Sequence, residues 1–321
     1  MKGEKMINTM RFGLLAVTTT LFSACLAIPG LARADYIDSL EVGIDTGYRV
    51  DDLDFNIAGS NGNPNILSEL TWKDLEIYEV GGSGKMTVGN DYFDFLTYLR
   101  GSINYGWILN GENQDSDYLG NNRTGEYSRI ITDTKDDNVF DASIGIGLQW
   151  KFFQDRLAVA PLGGYSYHQQ NLRDRNGAFV IPALGPFTGL DSTYQTEWQG
   201  PWAGIDIEVD PIPQFSILGT FEYHWADYDA EANWNLRPDL AHPVSFRHDA
   251  NDADGIVVKV TGRYALTNRW GVELSYAYQD WQATNGTDTT YGAGGGIGTT
   301  TLNEVNWKSE TTSLGLSYKF F

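Results

Sequence analysis

Residues 270–279 read Trp-Gly-Val-Glu-Leu-Ser-Tyr-Ala-Tyr-Gln. Taken in alternation, Trp270, Val272, Leu274, Tyr276 and Tyr278 form one row, and Gly271, Glu273, Ser275, Ala277 and Gln279 form the other. Side chains of an extended strand switch faces at every residue, so one face suits hydrocarbon and the other a polar interior. Ala142, Ile144, Ile146, Leu148 and Trp150 repeat the pattern against Asp141, Ser143, Gly145, Gly147 and Gln149. Phe215, Ile217, Phe221, Tyr223 and Trp225 repeat it against Ser216, Thr220, Glu222 and His224.

Ten such segments are marked out: 37–50, 67–88, 93–107, 139–152, 156–170, 194–209, 214–227, 255–266, 269–283 and 305–321. The second is the least regular, and Gly81-Gly82-Ser83-Gly84 in its middle predicts a bulge or bend. Connections alternate between short (89–92, 153–155, 210–213, 267–268) and long (51–66, 108–138, 171–193, 228–254, 284–304). Membrane barrels of bacterial outer membranes have short periplasmic turns and long extracellular loops. The expected fold is therefore all-β, a ten-stranded antiparallel transmembrane β-barrel with both termini in the periplasm. Tyr105, Trp107, Trp150, Phe152, Phe153, Tyr223 and Trp225 cluster near strand ends, as aromatic girdles at the two interfaces would.

The N-terminus supports export. Lys2, Lys5 and Arg11 precede an apolar stretch from Phe12 to Ile28, and Ala32-Arg33-Ala34 gives a small-x-small cleavage pattern. Residues 1–34 read as a signal peptide and 35–321 as the barrel. Cys25, the single cysteine, lies in that leader, so the expected mature chain has no thiolate chemistry. No later segment approaches the roughly 18 apolar residues of a spanning helix. Taking the leader's Lys2, Lys5, Arg11, Arg33 and Glu4 from the chain's 22 basic and 42 acidic residues leaves a net charge of −23. Such acidity disfavours nucleic acid and favours cationic ligands at the surface.

Several segments together resemble the omptins, ten-stranded outer-membrane proteases. They are Leu70-Thr-Trp-Lys73, the stretch Phe140 to Tyr167 with its turn at 153–155, Pro201-Trp-Ala-Gly204, Thr220-Phe-Glu-Tyr223 and Gly315-Leu-Ser-Tyr-Lys-Phe320. The resemblance implies a site in which Asp-x-Asp faces Asp-x-His across the barrel mouth, with a water between them. Asp115-Ser-Asp117 matches the first pair. Setting Trp234 on the family's aromatic puts Glu231 and Asn233 at the second pair, and asparagine accepts no proton at neutral pH. The basic outer-wall residues that bind lipopolysaccharide in the family are matched by Gln169 and Glu197, which cannot hold phosphate.

Of the four histidines, His168 and His224 fall on inward rows, where lumen hydrogen bonding is expected, and His242 and His248 fall in the fourth long connection. Barrels this narrow are largely filled by side chains, and inward Glu41, Asp45, Arg100, Asp141, Lys259, Arg263 and Glu273 predict a plug of paired charges. Acidic groups at 133–137 and 249–254 lack the spacing of a twelve-residue calcium loop and read as solvated; Gly292–Gly298 reads as a loop tip. Neither cofactor nor metal is expected. The reading is a monomeric surface barrel, in contact with outer-membrane lipid, that lacks the family's usual protease activity and serves binding or structure. Its mouth suits a cationic peptide or other surface ligand. An omptin-type endopeptidase cleaving basic peptides and a small porin are the alternatives.

Overall fold

A computed structural model describes residues 36–89 and 94–320; the expected leader, Asp35, residues 90–93 and Phe321 lie outside the described residues. The strands are β1 (Tyr36–Ile57), β2 (Ser68–Gly89), β3 (Leu96–Gly120), β4 (Thr124–Thr134), β5 (Asn138–Phe152) and β6 (Leu157–Ile181). They continue with β7 (Gly185–Pro186), β8 (Ser192–Ile212), β9 (Phe215–Asn233), β10 (Phe246–Ala265), β11 (Trp270–Tyr291) and β12 (Ile297–Lys319). Neighbours are antiparallel, and the β2–β3 and β1–β12 pairings close the sheet into a ring. The ring has ten staves, because β4 and β5 lie end to end between β3 and β6 and the two-residue β7 only borders β6. Closure matters physically: every stave of the ring finds a partner on both sides, and no row of backbone amides is left open to hydrocarbon.

The ten expected segments all fall on strands, but the strands run well past them. β1 continues to Ile57, β3 to Gly120, β6 to Ile181, β9 to Asn233 and β11 to Tyr291. The connections at the mouth shrink to 58–67, 121–123, 182–191, 234–245 and 292–296. These extensions read as loops in the sequence because the polarity of the rows inverts along each stave. On β9 the outward row runs Phe221, Tyr223, Trp225 and then Asp227, Asp229, Glu231. The inward row runs Glu222, His224 and then Ala226, Tyr228, Ala230, Ala232, with the last four buried. Below the switch the outside faces lipid, and above it the outside faces water.

Tyrosines mark the switch by donating to carboxylates in the inverted zone. Tyr276 donates to Glu310 (3.0 Å), Tyr278 to Asp280 (3.0 Å) and Tyr223 to Asp254 (3.1 Å). An outward girdle at the opposite end carries Phe152, Phe153, Tyr264, Trp270 and Phe320. The irregularity expected at Gly81–Gly84 falls instead at 73–75, where the register shifts and Asp74 has φ 52°. Pairing is continuous through Gly81, whose role is close approach: a Cβ there would lie 2.3 Å from Asn104 Oδ1 and 2.9 Å from Asp45.

The interior has two tiers. In the lower one the expected plug is present: Arg100 pairs with Asp206 (2.8 Å) and Glu222 (2.6 Å), and Arg263 with Glu41 (3.6 Å) and Glu273 (3.7 Å). Its hub, Arg49, was not among the residues expected. Arg49 gives Nε and Nη2 to Asp51 (2.7 and 2.6 Å) and Nη1 to Asp141 (2.6 Å) and Glu79 (3.3 Å). His168 Nδ1 meets Asp141 (2.7 Å), and His224 bridges Ser166 (2.9 Å) and Glu222 (2.8 Å), as lumen partners should. A cavity of about 200 Å³ remains, with Asp45 and Lys259 in its wall.

Above Arg49 aromatic rings take up much of the interior, where a polar lumen was expected throughout, with buried polar groups such as Asp174 and His248 among them. Phe55, Trp72, Trp198, Trp281 and Trp307 are each at most 1% exposed and fill the bore. Trp281 stacks on Trp307 at 5.5 Å, and Gly255 makes room for it, since a Cβ there would lie 2.3 Å from the ring.

Two substitutions probe this arrangement. Leu274, 61% exposed on the lipid row, should cost about 2–4 kcal/mol as Leu274→Arg if near the bilayer midplane, read by urea unfolding in vesicles. Arg49→Ala should cost about 3–5 kcal/mol in the same assay, because it strands Asp51, Asp141 and Glu79 in the interior.

Candidate functional site

Asp115 and Asp117 lie on the inward row of β3 near its upper end. Asp115 is paired with Leu70 of β2 and Ile130 of β4, and Asp117 with Ser68 and Ser128. The Ser68 and Ser128 side chains hydrogen-bond to Asp117. Asp115 Oδ1 is buried and accepts no hydrogen bond. Beneath the pair, Asp174 accepts from Trp72 Nε1 (3.1 Å), Asn113 (2.8 Å) and Thr134 (2.5 Å). Burial, then the charges of Asp117 and Asp174, push the Asp115 carboxyl up to about 8. Burial also raises Asp117. The pair therefore keeps one proton at neutral pH, because two adjacent desolvated carboxylates cannot both ionise at low cost.

The floor below is an aromatic raft. Trp72 and Tyr194 stack at 5.1 Å with planes 7° apart, and Phe55 packs on both. The Tyr194 hydroxyl is hydrogen-bonded to the Tyr228 hydroxyl (2.6 Å) and to His248 Nδ1 (2.8 Å). His248 is a buried residue of β10 rather than a loop residue; its Nε2 lies 3.3 Å from Asp288 Oδ1 but is not aligned for a hydrogen bond.

The residues matched by resemblance to the second catalytic pair do not meet the first. Glu231 and Asn233 stand on the outward row of β9. Glu231 pairs with Arg247 of β10, both about half exposed. Asn233 accepts from His242 Nδ1 at 2.7 Å, so His242 is likewise engaged away from the acid pair. The inward positions flanking them are Ala230 and Ala232, which offer methyl groups alone. In a strand a shift of one residue exchanges inside for outside, so Glu231 and Asn233 share the outward row while Ala230 and Ala232 share the inward one. Gln169 and Glu197 are directly opposed on the outer wall. Asp133, Asp136 and Asp137 are each within ion-pair distance of Lys135, Arg175 and Arg173 respectively.

Two residues that sequence reading missed approach Asp115 and Asp117. The β3–β4 register skips Tyr127, a bulge of the kind that re-aims a side chain, and its hydroxyl is pushed up by burial and by both carboxylates. Arg237, in the connection after β9, is close enough to favour the charged form of each, yet makes an ion pair with neither. Its pairing is with Asp239, through Nε (2.9 Å) and Nη2 (2.7 Å). Arg237 follows Trp234-Asn-Leu closely enough that the aromatic used for alignment was the available signal.

Fold and site together define an outer-membrane β-barrel of the ten-stranded, omptin-like kind, with an acid pair at its mouth and no histidine bonded to it among the described residues. The chain belongs to the Protochlamydia outer membrane protein (Pom) family, whose model matches residues 43–320. Among solved structures it is similar to the outer membrane protease OmpT from Escherichia coli at 14% identity and TM-score 0.74, covering 89% of this chain and 98% of that one. That likeness bears on fold alone. Overlaps with the translocator domain of the autotransporter NalP from Neisseria meningitidis (13%, 0.34, 95% and 97%) and with Ail of Yersinia pestis (11%, 0.28, 88% and 99%) are too slight to bear on either fold or function. No curated protein matches the sequence.

The raised carboxyl sets a pH dependence. A folded-state acid held at about 8 binds its proton more tightly than the unfolded chain, so its contribution is present at low pH and is lost as pH rises from about 4 to 8. Thermal unfolding of the wild type should fall between pH 5 and pH 9. Asp115→Asn should flatten that fall; an unchanged slope would contradict the assignment.

Proposed function

We propose that the protein is a monomeric, sealed outer-membrane barrel without protease activity, whose mouth faces outward and binds a surface ligand. The observation that carries the reading is that no histidine is bonded to Asp115 or Asp117 among the described residues, and that the inward row of β9 near its upper end offers only Ala230 and Ala232. Water attack on a peptide needs a proton acceptor, and such a group is worth typically about 10²–10⁴-fold in rate. The retained proton on the acid pair works in the same direction, because a protonated carboxyl cannot serve as that acceptor. Supporting the binding side, the mouth exposes acidic groups on a strongly acidic chain, which draws positively charged groups toward it. Gln169 and Glu197 on the outer wall offer no cation to lipid phosphate.

The test is incubation of the refolded protein with quenched dibasic peptides, with and without lipopolysaccharide. Cleavage should not exceed the buffer blank in either condition. Asn233→His should remain inactive, because that side chain points outward, whereas Ala232→His with Ala230→Asp places both groups on the inward row and is the pair that should give measurable turnover. Robust wild-type cleavage that disappears in Asp115→Ala would overturn the reading.

A further inference from the structure

Carboxylates are plentiful in this chain, and its arginines nearly always find one. Of the eleven arginines among the described residues, nine stand within ion-pair distance of an aspartate or glutamate. The two exceptions, Arg156 and Arg269, both lie in short connections at the turn end, 153–156 and 266–269. Arg269 is the better fixed of the two. Thr267 Oγ1 accepts from the backbone N–H groups of Arg269 (3.2 Å) and Trp270 (3.0 Å), and Arg269 O accepts from Lys319 N–H (2.8 Å). Its side chain donates from Nη1 to the Tyr318 hydroxyl at 3.1 Å, and its Nε and Nη2 bond to nothing among the described residues.

Tyr318 belongs to the lipid-facing row of β12. It is directly opposed to Val42 of β1 and Trp270 of β11, and the same row carries Leu314 and Leu316, 57% and 45% exposed. Trp270 packs edge-on against the Tyr318 ring at 4.9 Å, as does Phe320 at 4.9 Å. Amphipathic rings of this kind settle at headgroup level, so the hydrogen bond to Tyr318 sets the guanidinium on the outer wall at the height of lipid phosphates. The Nε–Nη2 edge of a guanidinium is a fork that matches two oxygens of one phosphate. The other rim lacks a counterpart on β9, where the outward row is Asp227, Asp229 and Glu231 and repels phosphate.

We propose that Arg269, positioned by Tyr318, holds the phosphodiester of a membrane phospholipid in the leaflet at the turn end, with the acyl chains lying along Leu314 and Leu316. The site selects phosphate attached to hydrocarbon: the fork supplies the charge, the apolar row supplies the chain contact, and neither suffices alone. Headgroup atoms beyond the phosphate meet solvent and are weakly selected. Arg156 makes no side-chain hydrogen bond among the described residues, so it carries the same charge without the orientation. The lipid sits on the outer wall, apart from both the bore and the ligand of the mouth.

The probe is phosphatidylglycerol, titrated into the full mature chain in detergent micelles and read as adducts by native mass spectrometry. Diacylglycerol with the same chains and inorganic phosphate are titrated alongside. Each variant is first shown to fold by its heat-dependent gel mobility. Phosphatidylglycerol should bind saturably, and diacylglycerol at least about tenfold more weakly, which corresponds to roughly 1.4 kcal/mol. Inorganic phosphate alone should give no saturable adduct over the same concentrations. Arg269→Gln should bring phosphatidylglycerol down to the level of diacylglycerol and leave diacylglycerol unchanged. Tyr318→Phe keeps the ring but frees the guanidinium, and should weaken phosphatidylglycerol by roughly fivefold, the worth of one hydrogen bond, without altering diacylglycerol. Arg156→Gln removes the same charge from another turn and should leave all three unchanged. Equal binding of phosphatidylglycerol and diacylglycerol, undiminished binding by Arg269→Gln, or an equal loss in Arg156→Gln would overturn the inference. Inorganic phosphate binding as tightly as phosphatidylglycerol would overturn it too, by marking a site for the free anion.

Discussion

Each stave of this barrel crosses a change of solvent, and its two rows must match the medium on both sides of that crossing. In the lower half, apolar side chains point outward to lipid and charges point inward. In the upper half, aspartates and glutamates point outward to water, and tryptophans and alanines point inward. The backbone is indifferent to the switch because the closed ring pairs its amides throughout. Strand length, girdle position and the nature of the interior all follow from where the inversion falls. The tyrosine-to-carboxylate hydrogen bonds sit at that level because a phenol is apolar along its ring and polar at its tip.

The same inversion decides what the interior can do. Below it, bulky charges would be intolerable unless mutually satisfied, and Arg49 gathers three carboxylates for that purpose. Above it, the bore is narrow enough that five tryptophan and phenylalanine rings close it in a single apolar core. Asp51 joins the tiers, accepting from Arg49 below and from Trp307 Nε1 at 3.0 Å. Two cavities lie along the bore, one of about 200 Å³ beside Asp45 and Lys259 and one of about 290 Å³ at the turn end.

Much of this was legible from the chain. Lipid-facing rows such as Trp270 to Tyr278, and the inward placing of His168 and His224, needed only a period of two. Upper strands escaped because an outward row of Asp227, Asp229 and Glu231 carries the composition of a loop, and its apolar partner row is rich in alanine, which signals burial weakly. Arg49 escaped because it sits where the first segment was taken to end, next to the two aspartates of Val50-Asp-Asp-Leu53. At the site, Asp115 and Asp117 fall within the stretch 108–138 that reads as a long connection, whereas the structure sets both on β3. Glu231 and Asn233, matched through Trp234, stand on the outward row, a distinction that alignment on one aromatic does not carry and a strand makes at every residue. Tyr127 and Arg237 depend on a bulge and on a turn, which leave no periodic trace.

A sealed interior that confines any ligand to the mouth is the claim on which this account turns. Single-channel recording of the purified protein in planar bilayers tests it most directly. The account expects no conductance steps from the wild type, because rings and ion pairs occupy the bore at two successive levels. Stable, ohmic channels from the wild type, abolished when the protein is heat-denatured, would contradict it and return the molecule to the class of diffusion pores.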